Sequence, residues 1–470
     1  YEMIGYEGGL KLINFFAVHN IDFNKAWKAK QSGWHDQTRA IFANAEIGWK
    51  SMIYLTATGR NDWDSRLAFS DYKSFFYPSI GLSAILTSMF NAPDWLTYLK
   101  VRGSYTEVGN SYGRFMTTVT YPYDEQTQSW TSTSSYPNTK LKPERTKSWE
   151  VGLDARILND ISLNLTYYRS NTYNQTFYAD LSLSSGYSNI PIQSGNIMNE
   201  GLEMSLGYNK QWKDFSFNTN YTLTWNKNRV KRLADGVYNY ATGQPIQMPE
   251  LSPLTYGHTD ARLILRVGGS MGDVYGQRLL KRDLNGYILN EEGVGLAMEN
   301  KETYLGSILP KMNMGWSLGF GYKGVNLGMT FTGRFGGIVI SETQSVLDAA
   351  GVSKVSADVR DAGGVQINQS KVSAQTYYQT IQGTAAYYTY SATNVRLGEL
   401  SLSYTLPKKW FDNKVGMTVG LVGKNLWMIY CKAPFDPELT TSAASNFYQG
   451  FDAYMLPSTR NFGFNVKFQF

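Results

Sequence analysis

Asp214–Phe215–Ser216–Phe217–Asn218–Thr219–Asn220–Tyr221–Thr222–Leu223–Thr224–Trp225–Asn226 is the stretch on which the fold turns. Phe215, Phe217, Tyr221, Leu223 and Trp225 share one parity, and Ser216, Asn218, Asn220, Thr222, Thr224 and Asn226 share the other. Successive side chains of a strand point to opposite faces, so this segment predicts a strand with one apolar and one polar face. The pattern recurs at Trp149, Val151, Leu153, Ala155 and Ile157, at Ile161, Leu163, Leu165 and Tyr167, and at Leu202, Met204, Leu206, Tyr208 and Trp212. It returns at Met312, Met314, Trp316, Leu318, Phe320 and Tyr322, at Val325, Leu327, Met329 and Phe331, and at Val415, Met417, Val419 and Leu421. Less regular candidates cover 38–62, 79–90, 98–108 and 393–406, the last slipping parity near Gly398 as a β-bulge does. The pattern predicts about 12–14 strands.

The spaces between these segments alternate in length. Leu158–Asn159–Asp160, Trp212–Lys213–Asp214, Lys323–Gly324 and Asp412–Asn413 are tight, whereas 107–146, 174–198, 229–308, 336–392 and 430–456 are long. A soluble sandwich with one solvated face has no reason to gather its long loops at one end. A transmembrane antiparallel β-barrel does, with short periplasmic turns and long extracellular loops. Strands of about 9–11 residues also suit a tilted membrane crossing. In lipid every backbone polar group must be bonded, so a spanning sheet closes on itself with its apolar parity toward lipid. Trp149, Trp212, Trp225 and Tyr322 stand near strand ends, where aromatic girdles form.

Composition agrees. The 470 residues are 17% charged and 15% aromatic, with 44 Gly, and no apolar run approaches a transmembrane helix. So many aromatics and so few charges exclude wholesale disorder. The net charge of +6 forms no basic stripe of the kind nucleic acid requires. Cys431 is the single cysteine, so no intramolecular disulfide and no cysteine zinc site is available. His19, His35 and His258 are the only histidines, which weighs against metal and nucleophilic catalysis. No signal-peptide pattern precedes Tyr1, so either a signal has been removed or the chain is expected to be a piece of a longer one. At the other end Phe462, Phe464, Val466, Phe468 and Phe470 share one parity, a Phe-terminated strand similar to the assembly signal of bacterial outer-membrane proteins.

Several stretches, in order, resemble the SusC/RagA family of TonB-dependent outer-membrane transporters. They are Asn61–Asp62–Trp63–Asp64–Ser65–Arg66, Phe76–Tyr77–Pro78–Ser79–Ile80–Gly81–Leu82–Ser83, Lys100–Val101–Arg102–Gly103–Ser104–Tyr105 closing at Gly109–Asn110, and Leu141–Lys142–Pro143–Glu144–Arg145–Thr146–Lys147 followed by Glu150–Val151–Gly152–Leu153–Asp154. Asn199–Glu200–Gly201–Leu202–Glu203, Arg396–Leu397–Gly398–Glu399–Leu400–Ser401–Leu402–Ser403–Tyr404–Thr405–Leu406–Pro407, Lys424–Asn425–Leu426, Asp436–Pro437–Glu438 and Pro457–Ser458–Thr459–Arg460 continue the series. Trp63 and Asp64 depart from the family's run at that point. The resemblance implies a barrel of about 22 strands in a protein about twice this length. Residues 1–470 are then expected to be its C-terminal barrel portion, with the plug domain and TonB box outside this chain. It also implies import of an oligosaccharide or oligopeptide, a SusD-like surface lipoprotein as lid, the TonB complex as energy source, and residence in the bacterial outer membrane.

The chemistry is that of binding. Tyr256–Gly257–His258–Thr259–Asp260 is the one arrangement that sets a His beside an acid as a hydrolase requires, and a solvated loop is the plainer reading. Gly268–Gly269–Ser270–Met271–Gly272 lacks the Lys-Ser/Thr ending of a phosphate loop. Asp283–Leu284–Asn285–Gly286 opens like a calcium loop without its later ligands and reads as a turn, so bound calcium is compatible with the sequence but is not implied by a motif. No cofactor, metal ligand or catalytic residue is expected. The loops hold aromatic groups at Tyr121, Tyr123 and Trp130, at Tyr178 and Tyr187, at Tyr238 and Tyr240, at Tyr377, Tyr378, Tyr387, Tyr388 and Tyr390, and at Phe447, Tyr448 and Tyr454. Trp130, Tyr187, Tyr387, Tyr388, Tyr390 and Tyr448 are the substrate-contact candidates, and Phe468 and Phe470 the assembly signal. A passive porin remains the alternative, with a hydrolase behind it.

Overall fold

A computed structural model describes the chain apart from residues 1, 8–9, 16–19, 21, 23–27, 125–128, 194, 234–249, 292–294, 413, 440 and 442–445. Tyr238, Tyr240, His19 and Asn413 therefore lie outside the described residues. Thirteen strands form one sheet. They are β1 (Thr38–Trp49), β2 (Ile53–Asp64), β3 (Phe75–Ile85), β4 (Leu96–Asn110), β5 (Glu144–Ile157), β6 (Ile161–Tyr173) and β7 (Asn196–Trp212). β8 (Phe215–Arg232), β9 (Met312–Tyr322), β10 (Val325–Phe335), β11 (Asn394–Leu406), β12 (Gly416–Cys431) and β13 (Asn461–Gln469) complete it. Each strand pairs antiparallel with the next, so the sheet is a continuous meander with β1 and β13 at its edges. No described helix is long and apolar enough to cross a membrane.

The register carries the period-two pattern across the sheet without a break. Leu163 faces Leu206, Leu206 faces Tyr221, Tyr221 faces Trp316, and Trp316 faces Phe331. Farther on, Leu402 faces Leu421 and Leu421 faces Phe464. The residues of these rows are exposed or half-buried, and none is buried. Trp316 is 42% accessible, and Phe217 and Val419 are half-buried. An apolar face left open over so many strands needs an apolar medium, as the alternation predicts. From Phe215 to Trp225, at the two ends of that face on β8, the chain takes ten residue steps, about 33 Å of strand. At a tilt near 40° this is about 25 Å of height, the apolar band of an outer-membrane wall.

Local chemistry sets the breaks. Lys323 and Gly324 both take positive φ, 46° and 88°, in the two-residue turn between Tyr322 and Val325. Leu158 and Asn159 do the same, at 51° and 62°, between β5 and β6. Gly398 is the bulge that the parity slip implies: Thr330 pairs with Glu399 and Phe331 with Leu397, so Gly398 is left over and Leu397 and Leu400 stay on one face. Pro78, which has no N–H to give, sits where β3 pairs with β2 alone, because the ladder to β4 starts at Ser79.

The differences from expectation are at element boundaries. Residues 38–62 are two strands joined at 50–52, because Lys50 and Ser51 adopt left-handed φ of 49° and 55°. Residues Leu86–Met89 are one helical turn rather than the end of a strand. The connection expected to be tight at Asp412–Asn413 spans 407–415 and contains a 3-10 turn, Lys408–Phe411, after Pro407.

The long connections leave one end of the sheet and carry the hydrophobic core. Residues 233–311 hold a four-stranded sheet of Glu250–Thr255, Arg262–Arg266, Asp273–Leu280 and Met298–Ser307. Residues 336–393 hold helices α1 (Glu342–Ala349), α2 (Lys354–Asp361) and α3 (Ala374–Thr380). Tyr256, Leu263, Val274, Ile308, Ile340, Ala385 and Phe451 form one cluster from three connections. Phe177, Ile190 and Ile192 join the tops of β7 and β8 (Ile197, Val230) to Leu251 and Leu265.

The two faces of β8 make opposite demands. Phe217→Arg places a charge on the apolar face two residues in from its end and is expected to cost roughly 1–3 kcal/mol, whereas Asn218→Arg on the polar face is tolerated. The check is the folded fraction of each variant in outer membranes, read by heat-modifiable gel mobility.

Candidate functional site

The polar face and the packed loops above it make up the candidate site. On that face β4, β5 and β6 carry charge, with the Arg102 guanidinium donating to Asp154 at 2.7 Å and to Thr166 Oγ1 at 2.6 Å. Asn164 donates to the same Asp154. Gly152 makes room for this arrangement, since a Cβ there would stand 2.7 Å from the Arg102 guanidinium. Two cavities border the cluster. One of about 210 Å³ is lined by Tyr54, Lys100, Arg102 and Glu150, and one of about 460 Å³ by Tyr98, Lys100, Asp154, Arg156 and Asn164. From β8 to β10 the face is uncharged for most of its height, with Asn218, Asn220, Thr222 and Thr224 beside Asn313, Ser317, Asn326 and Thr330.

The loops above pack into a cap in which polar keystones tie separate connections together. Asp260 accepts from the backbone N–H groups of Gln277 (3.0 Å), Arg278 (2.7 Å) and Ala385 (2.6 Å), joining the β8–β9 and β10–β11 connections. Ser341 caps α1 and donates to Asp452 at 2.5 Å, while Ile338–Ser341 pairs in parallel with Phe451–Asp452. This adds the β12–β13 connection. Asp436 and Glu438 anchor the same connection to β11. Arg396 donates to Asp436 through two nitrogens (2.9 and 2.8 Å), and Asn394 donates to Glu438 at 3.0 Å. Burial pushes the Asp436 carboxyl upward, yet the Arg396 fork and the Glu438 N–H outweigh it and hold it below the usual carboxylate range. At the β2 end Asp64 caps a 3-10 turn, accepting from Arg66 N–H and from the Arg66 guanidinium, with Ser111 Oγ donating at 2.8 Å.

The aromatic candidates separate under this packing. Tyr388 is buried at 3% beside Leu280, Tyr378 and Ile381, and burial lifts its phenol well above its ordinary value. Tyr387 packs on the same cluster and its hydroxyl accepts from Leu280 N–H at 3.0 Å. Tyr390 stands edge-on to Phe435 at 5.6 Å. These three rings, expected at the mouth, fill the cap, because a Tyr-rich connection that leaves the sheet must build its own core. Tyr448 stacks edge-on to buried Tyr256 at 6.2 Å, and Tyr187 edge-on to Tyr136 at 5.1 Å. Trp130 alone of the six is open, 71% exposed and 5.1 Å from Tyr123 on a short hairpin. Phe468 lies on edge strand β13, facing Met417, and Phe470 just beyond it is exposed.

Sequence reasoning missed a cavity of about 590 Å³ where β8 and the start of β9 meet the cap. Asn228, Ser270, Asp273, Tyr304, Lys311, Gly336 and Gly337 line it. Its only sequence signal is glycine at four turning points, Gly268, Gly306, Gly336 and Gly337, each with positive φ. The remaining motifs are structural. His258 is exposed while Asp260 is committed to backbone N–H groups, and Asp283 accepts from Asn285 and Tyr287 N–H as a turn does.

Residues 13–426 match the family model described as TonB dependent receptor-like, beta-barrel. The chain belongs to that family. TonB-dependent receptors are outer-membrane transporters rather than enzymes, and this chain is an outer-membrane protein. It is 24% identical over its whole length to TonB-dependent receptor P3 of Formosa agariphila, covering 50% of that protein. It is 25% identical over 46% of its length to TonB-dependent receptor SusC of Bacteroides thetaiotaomicron, covering 19% of it. Among solved structures it superposes on a chain of the RagAB peptide importer in the open-open state with a TM-score of 0.75 and 20% identity, covering 100% of this chain and 51% of that one. The chain thus spans about half the length of the receptors it matches end to end, and its sheet is of their barrel type.

Arg396 and Asp436 are nearly buried, with side chains 11% and 8% exposed. Arg396→Ala is expected to free 432–460 at a cost of roughly 3–5 kcal/mol, because it strands a buried carboxylate. A carboxyl depressed in the fold stabilises above its unfolded pKa and loses that contribution as pH falls through its folded value. The wild-type anchor should therefore weaken only below about pH 4. Amide exchange or limited proteolysis across 432–460 checks both.

Proposed function

We propose that this chain supplies the wall and outward loops of a TonB-dependent importer that takes up an oligosaccharide or an oligopeptide. The observation that carries the reading is a packed cap, built from separate long connections, at one end of a sheet whose one face is polar and whose other face is open and apolar. A cap held by buried carboxylates suits a mouth that must keep its shape while cargo enters. Cargo would be gripped by aromatic faces and neighbouring amides and hydroxyls, then pass along the Ser/Thr/Asn/Gly side of the wall. Energy would come from the TonB complex through a plug and TonB box outside this chain, and a SusD-like surface lipoprotein would close the mouth from above. The likeness to a peptide importer and the kinship with SusC support the transport reading and leave both cargo classes in play.

Within that reading Trp130, paired with Tyr123 on an open hairpin, is the first ligand contact. Tyr187 and Tyr448 stand behind it, while Tyr387, Tyr388 and Tyr390 hold the platform from inside. Phe468 and Phe470 serve as the assembly signal. Bond chemistry has no part in it, and cofactors have none either.

Uptake of labelled oligosaccharides and oligopeptides by cells carrying the whole transporter, with and without TonB, is the direct test. Import should vanish without TonB. Steady single-channel conductance of the purified protein, with uptake indifferent to TonB, would instead make it a porin. Trp130→Ala should raise the half-saturating cargo concentration about two- to tenfold, the worth of one stacking contact.

A further inference from the structure

The outer rim of the wall carries an excess of positive charge that the transport reading does not use. On the apolar-parity side, one cross-strand row reads Tyr105, Trp149, Arg169, Glu200 and Lys227 from β4 to β8. The next row toward the loops adds Glu107, Lys147 and Arg229, and Arg145 lies beyond Lys147. Five cations therefore face two carboxylates over five neighbouring strands, a width of about 19 Å at the usual strand spacing. Glu107 is already satisfied by Tyr105 (2.7 Å), Arg145 (3.2 Å) and Lys147 (3.3 Å), and Glu200 lies 3.6 Å from Lys227. The Arg169 and Arg229 side chains have no hydrogen bond or ion pair among the described residues.

Height decides what this patch meets. Trp149 and Trp225 mark the upper edge of the apolar face, and Lys227 and Arg229 follow Trp225 on the same side of β8. Girdle tryptophans sit at the membrane–water interface, so the cations two and four residues farther on stand in the headgroup layer. The cavity of about 590 Å³ opens beside them and is lined in part by Trp225, Lys227 and Arg229. Its one acid, Asp273, is engaged by Ser270 N–H at 2.8 Å and Tyr304 hydroxyl at 3.2 Å.

We propose that Arg169, Lys227 and Arg229 form a site on the outer surface of the wall for the phosphate-bearing headgroup of an outer-leaflet lipid. Guanidinium forks match phosphate oxygens, and an ammonium adds charge. The acyl chains of such a lipid would lie along Trp225, Tyr221 and Leu223 below. The site would fix the wall's height in the membrane and brace the base of the β8–β9 connection.

The test uses the intact transporter purified in detergent. Lipid binding is read by native mass spectrometry and by the shift in unfolding temperature, with added bisphosphorylated lipid A, zwitterionic phosphatidylethanolamine or inorganic phosphate. Wild type should retain lipid A and gain thermal stability from it, in a salt-sensitive way, and should do neither with phosphatidylethanolamine. The Arg169→Gln/Lys227→Gln/Arg229→Gln variant should bind lipid A roughly a hundredfold more weakly, at about fivefold per cation. Lys323→Gln, at the opposite rim, should leave binding unchanged. If the triple variant fails to assemble, Arg229→Gln alone, an exposed position, should show a severalfold loss. Unaltered lipid A binding in these variants overturns the proposal. So does equal binding of phosphatidylethanolamine, or inorganic phosphate binding as tightly as the lipid, which would mean an adventitious ion only.

Discussion

Backbone hydrogen bonding inside lipid is the constraint from which the rest of this structure follows. An N–H or C=O that meets hydrocarbon without a partner costs several kcal/mol, so a chain crossing with strands must pair each of them with a neighbour. The unbroken meander from β1 to β13 is the answer to that demand. It explains why four of the six connections at one end are only two or three residues long, since little there need leave the ladder. It also explains why Gly398 is accommodated as a bulge that keeps both the ladder and the facing of Leu397 and Leu400. Side chains only choose which face meets which medium.

A wall built this way has little core of its own. Its rings touch lipid on one side and its amides and hydroxyls touch water on the other, so the backbone ladder holds it. The cap is organised on the opposite principle. It buries Tyr256, Leu263, Leu265, Ile308 and Phe451 almost completely, and Asp260 accepts from N–H groups of its own connection and from Ala385 of the next. The cap's central cluster, Tyr256, Leu263, Val274, Ile308, Ile340, Ala385 and Phe451, is shared by three connections.

This division also gives Asp260, the acid nearest His258 in the sequence, a structural task. Asp260 is the acid beside His258, and the fold has already committed both its oxygens to N–H groups. The aromatic residues are shared between two tasks in the same way. Tyr388 and Tyr256 hold the cap, while Trp130 and Tyr123 remain at the surface where a passing ring can stack on them.

The wall was legible residue by residue because a period of two leaves a mark on every position. Phe217 against Asn218, the parity slip at Gly398 and the Lys323–Gly324 turn all read directly from order along the chain. The cap left no such mark, since its contacts join residues far apart, such as Asp260 with Ala385 and Arg396 with Asp436, that no local pattern connects. Whether a loop tyrosine packs or waits for ligand depends on what folds over it, so Tyr388 and Trp130 look alike in the sequence and differ in the structure. The same holds for Arg169, Lys227 and Arg229, scattered in sequence and gathered only by strand register. Alternation along one strand is a local property and the sequence determined it. Adjacency between strands and loops is a property of the folded chain, and only the tertiary structure decided it.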